Sequence, residues 1–341
     1  MPILKKILKK TLFCFIFLSF CAVSRGFTPG FDTHSDKAAQ NTVWEMKLRQ
    51  RVEFLCDSLC EGRACGTRGG TEAAFEIVRI FRKAGLLPFD GNYSQTFHTA
   101  DNIKTGHNVI GMIPGSLKRP PKSYIIVGAH FDNLGTLDGH IYPGADSNAS
   151  GTAALCSIAE MFSSMKTLGK VYDSSVIFVA FDANCLSRAG SEELFRRISG
   201  GLLKDPVSGQ AILPKNIKMM INIDQVGSSL SPLASGRPDY LIMLDGGTVS
   251  ENNKDWLSVC NRLYSTNLEL SHTYYGSANF TKIFYRLSDQ QVFVDHRIPS
   301  VLFTSGITMN NNKTYDSPHT LNYDVLRRRT ILIFHWIERM L

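Results

Sequence analysis

The feature that most limits the possible folds is a set of short apolar runs that each stop at a polar, chemically capable residue. "SYIIVGAHFD" (123–132) stops at His130 and Asp132, and "SSVIFVAFD" (174–182) runs on into Asn184 and Cys185. "MMINIDQVG" (219–227) carries Asp224, and "IPSVLFTSG" (298–306) feeds a polar loop that contains Asn312. Val, Ile and Phe fill these runs with little alternation, the pattern of strands covered on both faces. "HNVIGMIPG" (107–115) and "DYLIMLDGG" (239–247) read as two more strands. Helical spacing falls between them: from Thr71 through Ala74, Ile77, Val78 and Phe81, from Asn148, from Gly190, and in the closing "LNYDVLRRRTILIFHWIERML". Strands alternating with helices predict an α/β sandwich around a mostly parallel sheet. In such sheets functional groups gather at the carboxyl ends of strands.

The chain opens with Lys5, Lys6, Lys9 and Lys10 followed by an apolar run from Leu12 to about Val23. That is the layout of a signal peptide over residues 1–24 with cleavage near Ser24, leaving one domain over 25–341. The run is short for a bilayer span, and no second one of spanning length follows. The expected location is therefore periplasmic or extracellular, with lipid anchoring through Cys21 as the minor alternative. Removing the leader takes away four lysines and no acid, so the net charge of +7 falls to +3. A balance that close to neutral predicts no nucleic-acid partner. About 315 mature residues suffice for one full core. Export permits disulfides, and Cys56, Cys60 and Cys65 lie close enough in sequence to pair locally. Cys156 sits in an apolar helix and reads as a buried thiol.

Imidazole and carboxylates arriving from several strand ends are the ingredients of a zinc or two-metal hydrolase. His130, Asp132, Asp146 in "PGADSNASG" and Asp224 are the polar residues that stand there, and Asp132 is placed to orient the imidazole. A serine hydrolase is disfavoured, because no Gly-x-Ser-x-Gly elbow stands where a strand meets a helix. "GTRGGT" (66–71) lacks the preceding strand that a phosphate loop needs.

At these motifs the chain resembles the zinc-dependent exopeptidases that include bacterial and plasma aminopeptidases and glutaminyl cyclases. "LCEGRACGTRGG", "HFD", "GADSNASG", "NIDQVG", "SDQQVFVDHRIPS" and "YDSPHTLNYD" match that family's segments in order, over roughly residues 55–341. The resemblance implies a three-layer α/β/α sandwich with a mixed, mostly parallel sheet. It implies a first zinc on His130, Asp146 and Asp224, and peptide N-termini as substrate. It also implies a Glu-Glu pair, of which the first acid is the general base and the second a ligand of a second zinc.

The chain departs from the family at that pair. Aligning "FVAF" (178–181) and Gly190-Ser191 with the family's landmarks puts Asn184 at the general-base position and Cys185 at the second-zinc acid. The last histidine ligand is replaced by Asn312, and Gln290 stands where the family often has His. Glu192 and Glu193 fall later, on a helix, where first-turn acids suit the dipole; that they are the displaced pair is the other reading. His319 lies near the lost histidine but at the start of the last helix. An amide cannot take a proton, and its oxygen binds zinc weakly, while a thiolate binds it well. The expectation is one zinc ion in preference to two or none. Three functions stay open: a slow aminopeptidase-like hydrolase, a non-catalytic pseudoenzyme that binds a peptide, glycan or protein partner, and a glutaminyl-cyclase-like protein.

Overall fold

The apolar runs become strands as their composition requires. The computed structural model describes residues 33–100, 103–116, 123–230, 233 and 235–341. The leader at 1–24, Cys21 and the "KRPPK" segment at 118–122 lie outside the described residues. The chain divides into two compact units, Met1–Lys37 and Ala38–Leu341. Of the first, only residues 33–37 are described, in the helix Thr33–Gln40.

In chain order the second unit contains α1 (Glu45–Leu55), α2 (Arg68–Lys83), β1 (Leu87–Pro88), β2 (Ser94–His98), β3 (Thr105–Ile113) and β4 (Tyr124–His130). A small hairpin of β5 (Gly135–Leu137) and β6 (His140–Tyr142) follows, then α3 (Ser150–Thr167), β7 (Ser175–Phe181), α4 (Ala189–Ser199), β8 (Ile217–Ile223) and β9 (Tyr240–Leu244). The chain closes with α5 (Glu251–Leu263), β10 (Glu269–Ser271), α6 (Ala278–Tyr285), α7 (Gln290–Asp295), β11 (Ser300–Thr304) and α8 (Tyr323–Met340).

The main sheet runs β1-β3-β7-β4-β8-β11-β9-β10, with β2 also on β3. Its middle strands β7, β4, β8 and β11 are parallel. The pairings of β1 and β2 with β3, of β3 with β7 and of β9 with β11 are antiparallel. The sheet is mixed, and parallel pairing is concentrated at its centre. There β4, β7 and β11 are buried along their whole length, as continuous apolar runs demand.

Alternate side chains face opposite layers. Val109, Ile125, Val127 and Phe178 pack under α1, α2, α3, α5 and α8. Ile110, Ile126, Ile177 and Val179 pack against α4 and α7 on the other face. Helix α2 starts where Thr67 accepts from the Gly70 N–H, and it buries Ala73, Ala74, Ile77, Ile80 and Phe81 on one stripe. The "GTRGGT" glycines thus serve a helix start. Helices α1, α5, α6 and α7 were not anticipated from spacing, being short or mixed in polarity.

Cys56, Cys60 and Cys65 carry free thiols, so the local pairing expected among them is not formed. The Cys56 thiol donates to the Pro143 carbonyl and the Cys60 thiol to the Phe54 carbonyl. Among the described residues no helix is long and apolar enough to cross a membrane.

Candidate active site

Because β7, β4, β8 and β11 run parallel, their carboxyl ends open on one edge of the sheet. A cavity of about 370 Å³ lies there, lined by His130, Asn184, Cys185, Asp224 and Asn312, with Phe284, Leu287, Leu302 and Ile307 as an apolar wall. That volume suits one amino-acid side chain with its flanking backbone.

Asp132, fully buried, organises the first wall. Its two carboxylate oxygens accept the backbone N–H groups of Asn184 (2.9 Å) and Cys185 (3.0 Å). Its Oδ1 also lies 3.4 Å from His130 Nδ1, which is 3.1 Å from the Asp132 carbonyl. One carboxylate therefore sets the imidazole and the turn after β7 together. That turn is costly by itself: Ala183, Ser187 and Arg188 all take left-handed φ angles of 58–62°, a conformation that side chains disfavour.

With Nδ1 directed at Asp132, His130 Nε2 faces Asp224, whose Oδ1 is 3.4 Å away. Burial works against charge on His130, but the Asp224 and Asp132 carboxylates outweigh it and hold its pKa well above the usual value. Burial likewise works against charge on Asp224, and the His130 ring outweighs it and lowers that carboxyl.

Asp146 sits behind the lining, which Ser147 reaches in its place. Its Oδ1 accepts from Gly227 N (2.7 Å) and Ser150 Oγ (3.0 Å), and its backbone N–H donates to Asp316. Burial, and next the Asp316 carboxylate, push Asp146 up to about 7.

Nitrogen and oxygen ligands on a tetrahedral zinc stand about 3.4 Å apart, the spacing of His130 Nε2 and Asp224 Oδ1. Asp224 Oδ1 and Asp146 Oδ2 are both buried and accept no hydrogen bond, as oxygens kept for a cation would be. Among the described residues no third His, Cys, Asp or Glu atom comes within 4.8 Å of both members of that pair, so Asp146 must turn inward to complete a trio. The donor set suits a divalent ion. At the second-site positions Cys185 presents a thiol at the cavity. Asn312 offers an exposed amide.

Glu192 and Glu193 stay away from the cavity lining. Glu193 accepts from Arg196 and Arg197 at 2.7 Å each along α4, and Glu192 is the acid of that helix's first turn. His319 is exposed and bonded to Ser317. His335 is fully buried and stacks on Tyr264. Gln290 is buried, accepting from Asn222 Nδ2 and donating to the Tyr285 carbonyl.

Three residues that sequence reasoning passed over shape the site. Asp289 is fully buried and accepts a 2.9 Å hydrogen bond from Asn184 Nδ2. Burial pushes it up to about 6, against His130, Ser191 and Asn184. Asp316 accepts the N–H groups of Asp146 and Ser147 at 2.9 and 3.1 Å. Arg63, fully buried, donates to the carbonyls of Phe131 (2.7 Å), Pro143 (2.6 Å), Gly144 (2.9 Å) and Leu55. It ties the opening segment to the end of β4 and to the loop before Asp146. Gly62 beside it has φ +73°, and a side chain there would meet the Gly135 carbonyl at 2.5 Å. The acid preceding the Gln290 landmark and an arginine between glycines were the available signals.

An α/β sandwich with a histidine and acids at the carboxyl ends of parallel strands defines a metallohydrolase-type protein. The chain belongs to peptidase family M28, whose model matches residues 108–337. The LapA aminopeptidase of Legionella pneumophila is similar in fold, with a TM-score of 0.65 and 16% identity over 91% of this chain and 75% of LapA. BSAP, a zinc aminopeptidase from Bacillus subtilis, has a TM-score of 0.63 and 13% identity, with 87% of this chain and 95% of that one covered. The glutaminyl cyclase of Macrostomum lignano has a TM-score of 0.66 and 18% identity, covering 91% and 93%. Comparison with curated protein sequences finds no match.

Proposed function

We propose that this chain is an exported aminopeptidase-like protein that binds peptide N-termini at a single zinc ion and hydrolyses them slowly. The observation that carries this is Asn184. It lines the cavity with His130 and Asp224, at the position where the family resemblance calls for a general base, and its amide has no titratable proton to exchange.

In this reading His130 and Asp224 hold the ion, with the free oxygen of Asp146 as third donor, and Asp132 sets the imidazole. Zinc, when bound, supplies Lewis-acid polarisation of a carbonyl. Asn184 hydrogen-bonds and orients but removes no proton, and lack of a positioned base slows such reactions about 10²- to 10⁴-fold. The Asn312 amide oxygen is a weak zinc ligand, which favours one ion over two. The apolar wall of Phe284, Leu287, Leu302 and Ile307 favours an apolar N-terminal side chain. Export rests on the leader pattern at residues 1–24.

The same replacements favour a second reading, a non-catalytic peptide binder. Cyclase-like activity has support from fold similarity alone. The experiment is metal analysis of protein purified without chelator, joined to hydrolysis of aminoacyl-nitroanilides with zinc added. One zinc per chain with slow turnover is expected. Two zinc ions with brisk turnover would overturn the divergent centre, and neither metal nor turnover would leave only the binder.

A further inference from the structure

The main sheet has an open strand edge apart from the cavity. Among the described residues β2 pairs with β3 alone. On β3, His107 stands opposite Thr96, and its N–H donates to Asp182 Oδ2 at 2.9 Å, away from β2. Residues opposite one another in an antiparallel ladder exchange both backbone bonds or neither. Thr96 therefore turns its N–H and C=O outward as well, and Arg197 Nη2 meets that carbonyl from outside at 3.2 Å. By the same alternation His98 turns its amide outward. Such an edge is a template for another strand.

Beside it lies a second cavity, of about 430 Å³, between α2 and the face of β2 and β3. Ala74 and Val78 of α2 and Val109 of β3 give it apolar walls, and Phe75, 64% exposed, stands in the same lining. None of its lining residues belongs to the cavity at the strand ends. Phe75, Val78, Arg79 and Arg82 follow one another at three- and four-residue spacings, so α2 carries a second stripe besides the one it buries in the core.

Charge says what the groove takes. Among the described residues its lining holds Arg79 and Arg82 and no acid. Glu76 engages Arg79 through bonds of 2.7 and 2.5 Å. Arg82 has no such ion pair among the described residues; its guanidinium lies 5.9 Å from the centre of the Tyr93 ring, at the start of β2. The open edge stops at that same end. Asn92 Oδ1 accepts the Ser94 N–H at 3.0 Å, and β1 takes over the pairing with β3 at Gly111 and Met112. A strand laid antiparallel to β2 would finish there, with its carboxyl end beside Arg82.

We infer that the groove between α2 and β2 docks the carboxyl-terminal end of a partner polypeptide, added as an antiparallel strand on β2. The backbone of the added strand bonds to Thr96 and His98, and a backbone N–H replaces Arg197 on the Thr96 carbonyl. Alternate apolar side chains lie against Phe75, Val78 and Val109, and the terminal carboxylate pairs with Arg82. The site is separate from the pocket proposed for peptide N-termini and stands whether or not that pocket turns over substrate.

The probe is N-acetyl-threonyl-valyl-threonyl-valine, compared with its C-terminal amide. Each is titrated into the whole protein and followed by backbone amide resonances. The Thr96 and His98 amides should shift saturably, and the free acid should bind about fivefold more tightly than the amide, the scale of one exposed ion pair. Arg82→Gln should abolish that difference and leave the affinity for the amide unchanged. Thr96→Pro deletes an N–H that β3 does not use, a change an edge strand tolerates, and should weaken both ligands several-fold. If Thr96→Pro does not fold, Phe75→Ser, at an exposed side chain, decides by weakening both. Equal affinity for acid and amide, no saturable binding, or binding untouched by Arg82→Gln and Phe75→Ser would each overturn the site. A dimer in sedimentation that Thr96→Pro dissolves would give the edge to a second copy of the chain and overturn the peptide. Absent aminoacyl-nitroanilide hydrolysis with these outcomes intact would sink only the reaction proposed at the other cavity.

Discussion

Replacing Asp289 with Asn should make the protein more stable at neutral pH and not at acid pH. Asp289 is fully buried, and burial raises its pKa from 3.8 to about 6 although His130, Ser191 and Asn184 favour the charged form. Two units at 1.36 kcal/mol each correspond to about 3 kcal/mol. For an acid whose folded-state pKa is raised, the stabilising contribution is complete below the unfolded value. It is lost as pH rises through the folded value. Between pH 4 and pH 7.5 this residue alone should cost the native protein up to about 3 kcal/mol, whereas an asparagine stays neutral throughout. Asp146 and Asp182 rise to about 7 for the same reason of burial, but they titrate in both proteins and cancel in the comparison. The assay is urea unfolding of both proteins at pH 4 and pH 7.5, with EDTA present so that no metal alters the charge near His130. The stability difference should move by roughly 2–3 kcal/mol toward the variant at the higher pH. Parallel pH profiles would refute the reasoning, because they would mean that the carboxyl is not held in a hostile environment.

Two further outcomes follow from the same geometry. The combined change Asn184→Glu, Cys185→Glu and Asn312→His should raise aminoacyl-nitroanilide hydrolysis by about 10²-fold or more and zinc content above that of the parent. The new carboxylate would face Asp289, and at about 3 Å and an effective dielectric of about 20 the repulsion is about 5 kcal/mol. The pair should therefore hold one proton at neutral pH and supply a single base; an unchanged rate in folded, zinc-loaded protein would contradict the assignment of position 184. Arg63→Ala should destabilise by about 3 kcal/mol or more in urea unfolding, since four carbonyls lose a charged donor; a loss under about 1 kcal/mol would show that Arg63 is dispensable to the loop before Asp146.

The sequence by itself determined the strands and most long helices, because apolar period and turn chemistry are local. Val176–Phe181 could only be a strand buried on both faces, and Tyr323–Met340 only a helix with one long apolar stripe. It also set His130, Asp224, Asn184 and Cys185 at strand ends. Tertiary structure decided everything that depends on which ends meet and which way a side chain turns. Asp146 is drawn to the backbone N–H of Gly227, 81 positions further on. Asp289 comes from a segment 105 positions beyond Asn184 to fix its amide. Such contacts leave no local signature, since their energy comes from desolvation and hydrogen bonds made only when distant segments close on one another.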